Sequence, residues 1–182
     1  MNNFITKSAD QLADTEIGVI LTNWEMKEWM AMDAPTFRHK FRHSEFYLLI
    51  DKNECILSLA RINNNFSLRI PDKTYNFAEF VGFVSVEKQK GYGSLLLRKI
   101  TKEAKDRNIQ MIGFCEQRLR SFYTKNGMEV LADKARSIYE EQDGEWIEST
   151  DDDIVVLNLS EENKDVLNSL RKDFPAYYIP QD

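Results

Sequence analysis

An apolar run, Phe83-Val84-Ser85-Val86, delivers the chain into the turn Glu87-Lys88-Gln89-Lys90-Gly91-Tyr92-Gly93, and an amphipathic segment leaves it. From residue 93 to about 107, Leu96, Leu97, Ile100 and Ala104 fall on one helical stripe, while Arg98, Lys99, Lys102 and Lys105 fall outside it. The pattern requires a strand, a tight turn and a helix in immediate succession. The first turn of a helix carries amide N–H groups with no intrahelical acceptor and the positive end of the helix dipole, so it attracts phosphate oxygens. Gly91 and Gly93 keep side chains away from those amides, and Lys88 and Lys90 add positive charge. A dinucleotide fingerprint is excluded because Leu96 stands where its third glycine belongs. A P-loop is excluded because Gly93-Ser94 lacks the intervening lysine. Taken alone, a Gly-x-Gly before a helix also describes a turn with no ligand.

The remainder reads as strands first, then a strand–helix–strand–helix–strand core. A short opening strand at 4–7 precedes helical spacing through Ile17, Ile20 and Leu21, and a second helical stretch runs over 24–42, interrupted before Pro35. Residues 45–51 and 55–63 form a hairpin around Lys52-Asn53-Glu54, and 66–70 and 76–86 continue the antiparallel pattern. Buried strands follow at 110–115, 128–131 and 154–159, with a short helix over 118–125 and a last helix capped by Ser160. No repeat, low-complexity tract or Pro/Gly-rich linker divides the chain, so a single domain over 1–182 is expected. The fold class is α/β, or mixed α+β.

With 182 residues the chain suffices for one genuine core. A net charge of −6 argues against a general nucleic-acid binder. The N-terminus lacks the layout of a signal peptide and no apolar run reaches membrane-spanning length, so a cytoplasmic protein without membrane partners is expected. Cys55 and Cys115 lack CxxC spacing, and His39 and His43, four residues apart on an expected helix face, have no third ligand in view, so no metal is expected.

Lys88-x-x-Gly91-x-Gly93 resembles the acyl-CoA signature of the GNAT superfamily, Arg/Gln-x-x-Gly-x-Gly/Ala. About thirty residues on, Ser121-Phe122-Tyr123 followed by Gly127-Met128-Glu129-Val130 is similar to the superfamily's second hallmark, an aromatic-Tyr pair before a glycine and a strand. The likeness covers roughly 45–130. It departs from the pattern at Lys88, and at Glu116 and Leu119, which replace the usual Asn and Ala.

The resemblance implies a central mixed sheet with antiparallel N-terminal strands, splayed central strands and flanking helices. Acceptor-side helices would lie in 1–44, the acyl-CoA core in 45–130, and an acidic loop, last strand, helix and tail in 131–182. It implies acetyl-CoA as co-substrate and direct attack of an amine on the thioester. The diphosphate would lie on Lys88, Gln89, Lys90, Gly91, Tyr92, Gly93 and Ser94, the pantetheine arm along Val84, Ser85, Val86 and Glu116. Tyr123 would be the general acid for the leaving thiolate, and Glu79, the nearest carboxylate in the incoming strand, the base for the amine.

For the acceptor, residues 140–153 contain eight acids and no base, which suits a cationic amine as well as a solvated loop. Thr150-Asp151-Asp152-Asp153 before an apolar strand is also similar to aminoglycoside 2′-N-acetyltransferases. Asp151, Asp152, Asp153 and Trp29, in the segment matching the superfamily's acceptor-covering helices, are therefore the expected acceptor-binding residues. Peptide acetyltransfer, or acyl-CoA binding without turnover, are the alternatives. The aromatic tail Phe174-Pro175-Ala176-Tyr177-Tyr178-Ile179-Pro180 is expected to dock on its own domain or on a partner subunit of a homodimer.

Overall fold

Three arrangements follow from the backbone pattern: a strand–helix opening, a long antiparallel meander, and a strand–helix–strand core. In the computed structural model, which describes residues 2–179, they divide into two units, one comprising 1–64 and 80–100, the other 65–79 and 101–182. The ten strands make one mixed sheet in the order β6-β9-β5-β4-β3-β10-β7-β8, with β2 and then β1 attached along β3. Helices flank it, and the class is α/β as the sequence indicates.

In the first unit, β1 (Asn3–Ser8) pairs antiparallel with β2 (Ser44–Ile50), and β2 with the first half of β3 (Ile56–Ile70). Helix α1 (Asp14–Trp24) starts where Glu16 turns back to accept from the Ala13 amide at 2.8 Å. It buries Ile17, Ile20 and Leu21, the i, i+3, i+4 stripe read from sequence, and ends where Glu25 adopts φ +55°. The expected helix over 24–42 is mostly absent. Residues 25–33 form turns, and helix α2 (Ala34–Lys40) begins only where the Asp33 carboxylate caps the Thr36 amide at 2.9 Å, with Pro35 in its first turn. His43 lies beyond α2, so the two histidines share no helix face. The core here joins Phe37, Phe41, Phe46, Leu48 and Leu59 to α1.

The second unit contains the later half of β3 and the start of β4 (Lys73–Ser85). After helix α3 (Tyr92–Asp106), β5 (Met111–Cys115) pairs antiparallel with β9 (Asp153–Leu157), and β9 with β6 (Glu129–Leu131). Helix α4 (Arg120–Lys125) links β5 to β6, and α5 (Glu161–Asn168) follows β9, its start capped by Ser160. Phe66, Leu68, Ile112, Ile154, Val156 and Leu167 pack together as its core.

A second segment differs from the sequence expectation, and the tail takes one of the two placements expected of it. The acidic stretch is not a loop: β7 (Ile138–Gln142) and β8 (Glu145–Glu148) form a hairpin closed by Asp143 and Gly144, at φ +53° and +85°. Asp-Gly is the pair that a two-residue turn with both φ positive demands. The tail docks in cis, as β10 (Ala176–Ile179), antiparallel to β3 and parallel to β7. Tyr178 stacks on Phe66, with ring centroids 5.2 Å apart. Pro180 lies outside the described residues. No helix among the described residues is long and apolar enough to cross a membrane.

Candidate active site

The turn after β4 is built as its glycines require. Gln89 and Gly91 both have positive φ, +62° and +77°. Residues 86–91 are exposed, and a Cβ on Gly91 would meet nothing within 4 Å, so the ground above this turn is open. The Gly91 carbonyl accepts from Leu95 at 3.0 Å and closes the first turn of α3, so the amides of Tyr92, Gly93 and Ser94 precede the first intrahelical bond. Lys88 and Lys90 are exposed beside them, while Leu96, Leu97, Ile100 and Ala104 are fully buried and fix the helix axis. An open, amide-rich, cationic turn of this kind fits a diphosphate.

Upstream, the Val86 amide bonds to the Leu57 carbonyl at 3.1 Å, and the Val84 carbonyl accepts from the Ser58 hydroxyl at 2.9 Å. By strand alternation the backbone groups of Ser85 face the opposite edge of β4. Three residues before Ser85 the strand departs from regular geometry. Gly82 has φ +60°, its carbonyl accepts from the Trp24 indole N–H at 2.8 Å, and a Cβ there would lie 2.7 Å from Trp24 Nε1. The sequence reading missed this pair. Its available signal was a lone glycine inside an apolar strand, which marks a bulge or a close approach. Trp29, an expected acceptor residue, is half-buried in the turns after α1, edge-on to Trp24 at 5.7 Å, with Lys40 Nζ 5.4 Å from its ring centroid.

In the second unit, Tyr123 is 5% exposed on α4, its ring 5.3 Å from that of Phe122. Burial first, then the neighbouring Cys115 and Asp151, push its phenol well above the ordinary tyrosine range, so it carries its proton at any working pH. Cys115, buried at the end of β5, is pushed up to about 12 by burial and by the charges of Asp153 and Asp151. Such a thiol is inert as a nucleophile at neutral pH. Glu116, next along the chain, is exposed and paired with Arg118 at 2.7 Å and 2.9 Å, and the Arg118 bond holds its carboxyl low. Glu79 is half-buried on β4.

The three aspartates diverge. Asp153 is fully buried, bound by Arg120 through two bonds of 2.7 Å and by the Asp133 amide at 2.9 Å, and Arg120 holds it below the usual carboxylate range. Asp152 accepts from the Gln117 amide at 2.7 Å and from the Arg136 guanidinium, which hold it low. Asp151 is half-buried and has no cation paired to its carboxylate among the described residues. Burial, then Glu116 and Asp152, push it up. The Asp152 amide bonds to the Cys115 carbonyl at 3.1 Å, which pins the aspartate segment to the end of β5.

A strand, an amide-lined glycine turn and a helix within a mixed sheet, followed by a buried tyrosine on a short helix, define the acyl-CoA-dependent acyltransferase class. Residues 18–128, more than half of the chain, match the model of the acetyltransferase (GNAT) family. The chain belongs to the GNAT family. It is an N-acetyltransferase whose co-substrate is acetyl-CoA. Solved structures share the fold. That of YhbS, a GNAT-family N-acetyltransferase from Escherichia coli in complex with CoA, matches with TM-score 0.60 over 98% of this chain and 89% of that one, at 10% identity. The Campylobacter jejuni N-acetyltransferase PseH matches with TM-score 0.54 over 86% and 99%, at 19% identity. An acyl-CoA N-acyltransferase from Pseudomonas aeruginosa matches with TM-score 0.54 over 87% and 100%, at 10% identity. No curated protein matches the chain in sequence.

Proposed function

We propose that this enzyme moves the acetyl group of acetyl-CoA directly to the primary amine of a small cationic acceptor, aminoglycoside-like in its charge. Acetyl-CoA supplies an activated thioester. The amides of Tyr92, Gly93 and Ser94, with Lys88, Gln89, Lys90 and Gly91, hold its diphosphate. The β4 edge at Val84, Ser85 and Val86 aligns the pantetheine arm, to which Glu116 is also assigned, and a backbone N–H of that edge polarises the thioester carbonyl. Glu79 takes the amine's proton, directly or through a water, and Tyr123 gives one to the leaving thiolate. A direct route agrees with Cys115, whose thiol is held neutral by burial and neighbouring acids.

The observation that carries the acceptor class is Asp151. A half-buried carboxylate without a cation partner among the described residues, set among other acids and near Tyr123, is poorly stabilised as it stands and is completed by a bound ammonium group. Trp29 contributes an aromatic face on the acceptor side. Asp151→Asn is expected to raise the acceptor KM about tenfold or more for polycationic amines and to leave the acetyl-CoA KM unchanged. The loss persists at high salt, because a partly buried contact is weakly screened. Equal acceptor KM in variant and parent would remove the cationic-acceptor reading.

A further inference from the structure

Gly82 and Trp24 are joined by features with a single geometric origin. The residue sits inside β4 at φ +60°, a value that L side chains rarely adopt. A Cβ placed on it would fall 2.7 Å from Nε1, 2.8 Å from Cε2 and 2.9 Å from Cζ2 of Trp24. The indole ring therefore lies directly against the backbone, and its N–H donates to the Gly82 carbonyl at 2.8 Å. That bond anchors the carbonyl from outside the strand. A trans peptide is planar with its C=O and N–H opposed, so fixing the Gly82 carbonyl also fixes the plane of the next peptide bond. Strand residues 83–85 set out from that plane.

The donor is held as firmly as the acceptor. Trp24 ends α1, and its ring packs against Phe37 at 6.2 Å, Phe41 at 5.6 Å, Phe46 at 6.3 Å and Trp29 at 5.7 Å. Phe37 and Phe46 are fully buried. Four aromatic neighbours, from α2 and its C-cap, from β2 and from the turns after α1, thus surround the indole. Glycine takes this conformation without strain, and the space a side chain would need is filled by the indole, so the two residues fit only each other.

We infer that Trp24 is a positioning residue for acetyl transfer: its indole N–H locks the Gly82 peptide and so aims the β4 backbone over 83–86. The link to catalysis rests on the proposed function, in which that backbone aligns the pantetheine arm and polarises the thioester. A donor aimed at a developing oxyanion acts only when its direction is right, so loosening it lowers turnover more than ground-state binding.

Trp24→Phe removes the N–H and keeps an aromatic ring in the cage. Phe37→Leu serves as the control, because it loosens the same cage without touching the Gly82 bond. Two quantities are read on each folded variant. The first is amide hydrogen exchange of the segment 82–86, which needs no turnover. It is expected to quicken at least tenfold in Trp24→Phe and to stay near the parental rate in Phe37→Leu. Equal exchange in Trp24→Phe and parent overturns the lock itself. The second is steady-state kinetics, where Trp24→Phe is expected to lower kcat about tenfold or more, with both KM values within threefold of the parent. Faster exchange with parental kcat would keep the lock and overturn its catalytic role. A parent with no turnover on any amine would instead count against the proposed function, leaving the exchange result to decide the lock.

Discussion

At the scale of single residues, burial and pairing decide what a carboxylate does. Asp153 has its charge held by Arg120 and the Asp133 amide in a fully buried position. Its folded carboxyl lies below the unfolded value of about 4. The stability it contributes is therefore present above pH about 4 and lost as pH falls through the folded value. Asp153→Asn is expected to cost about 2 kcal/mol at pH 7 and to flatten the acid side of the stability–pH curve, as thermal melts between pH 3 and 7 will read. An unchanged curve would contradict this role. Asp151 has the opposite sign. Its folded carboxyl is raised, so its contribution is present below pH about 4 and lost as pH rises through the folded value. Asp151→Asn is therefore expected to keep or gain stability at pH 7 and, on the proposed acceptor role, to lose acceptor affinity, the combination that separates a binding residue from a structural one. The sequence shows three identical neighbours here. Their division depends on Arg120 and Arg136, whose proximity no local pattern encodes.

At the scale of elements, α3 was legible because its buried stripe and its charged face alternate with helical period and nothing competes. The turn before it was legible from Gly91 and Gly93. Its test is Gly91→Val, which puts a β-branched side chain at φ +77°, over amides that otherwise stand open. Calorimetry is expected to show at least a tenfold loss of CoA affinity in a protein that still folds, and parental affinity would dissociate the turn from the diphosphate. The segment 24–42 was less legible. Its bulky residues suggest helical spacing, yet Glu25 enters the left-handed region and Asp33 caps a new start, so the helix is cut by its own end signals. β3 is longer than its pattern implies. Asn63, Asn64 and Asn65 are poor strand formers, but the Asn64 amide bonds to the His43 carbonyl at 3.0 Å and the strand runs through. The hairpin at Asp143 and Gly144 carried its signal openly, and the surrounding acids obscured it.

For the molecule as a whole, the sheet, the class and the family were readable because two motifs fall on consecutive strand–helix units at a fixed separation. Long-range choices were not. The tail's place as β10 between β3 and β7 depends on Tyr178 meeting Phe66, and on Tyr177 pairing opposite Arg69 and Tyr139, contacts far apart in sequence. The proposed activity is acetylation of small cationic amines with acetyl-CoA. The most direct measurement is thiol release from acetyl-CoA by the purified protein against monoamines, polyamines, aminoglycosides and a basic peptide, with mass spectrometry of the products. Amine-dependent thiol release is expected, with an acceptor gaining one acetyl group on nitrogen and higher kcat/KM for the small polycationic amines than for the monoamines or the peptide. Tight CoA binding with no amine-dependent release, or acetylation confined to the peptide, would contradict it.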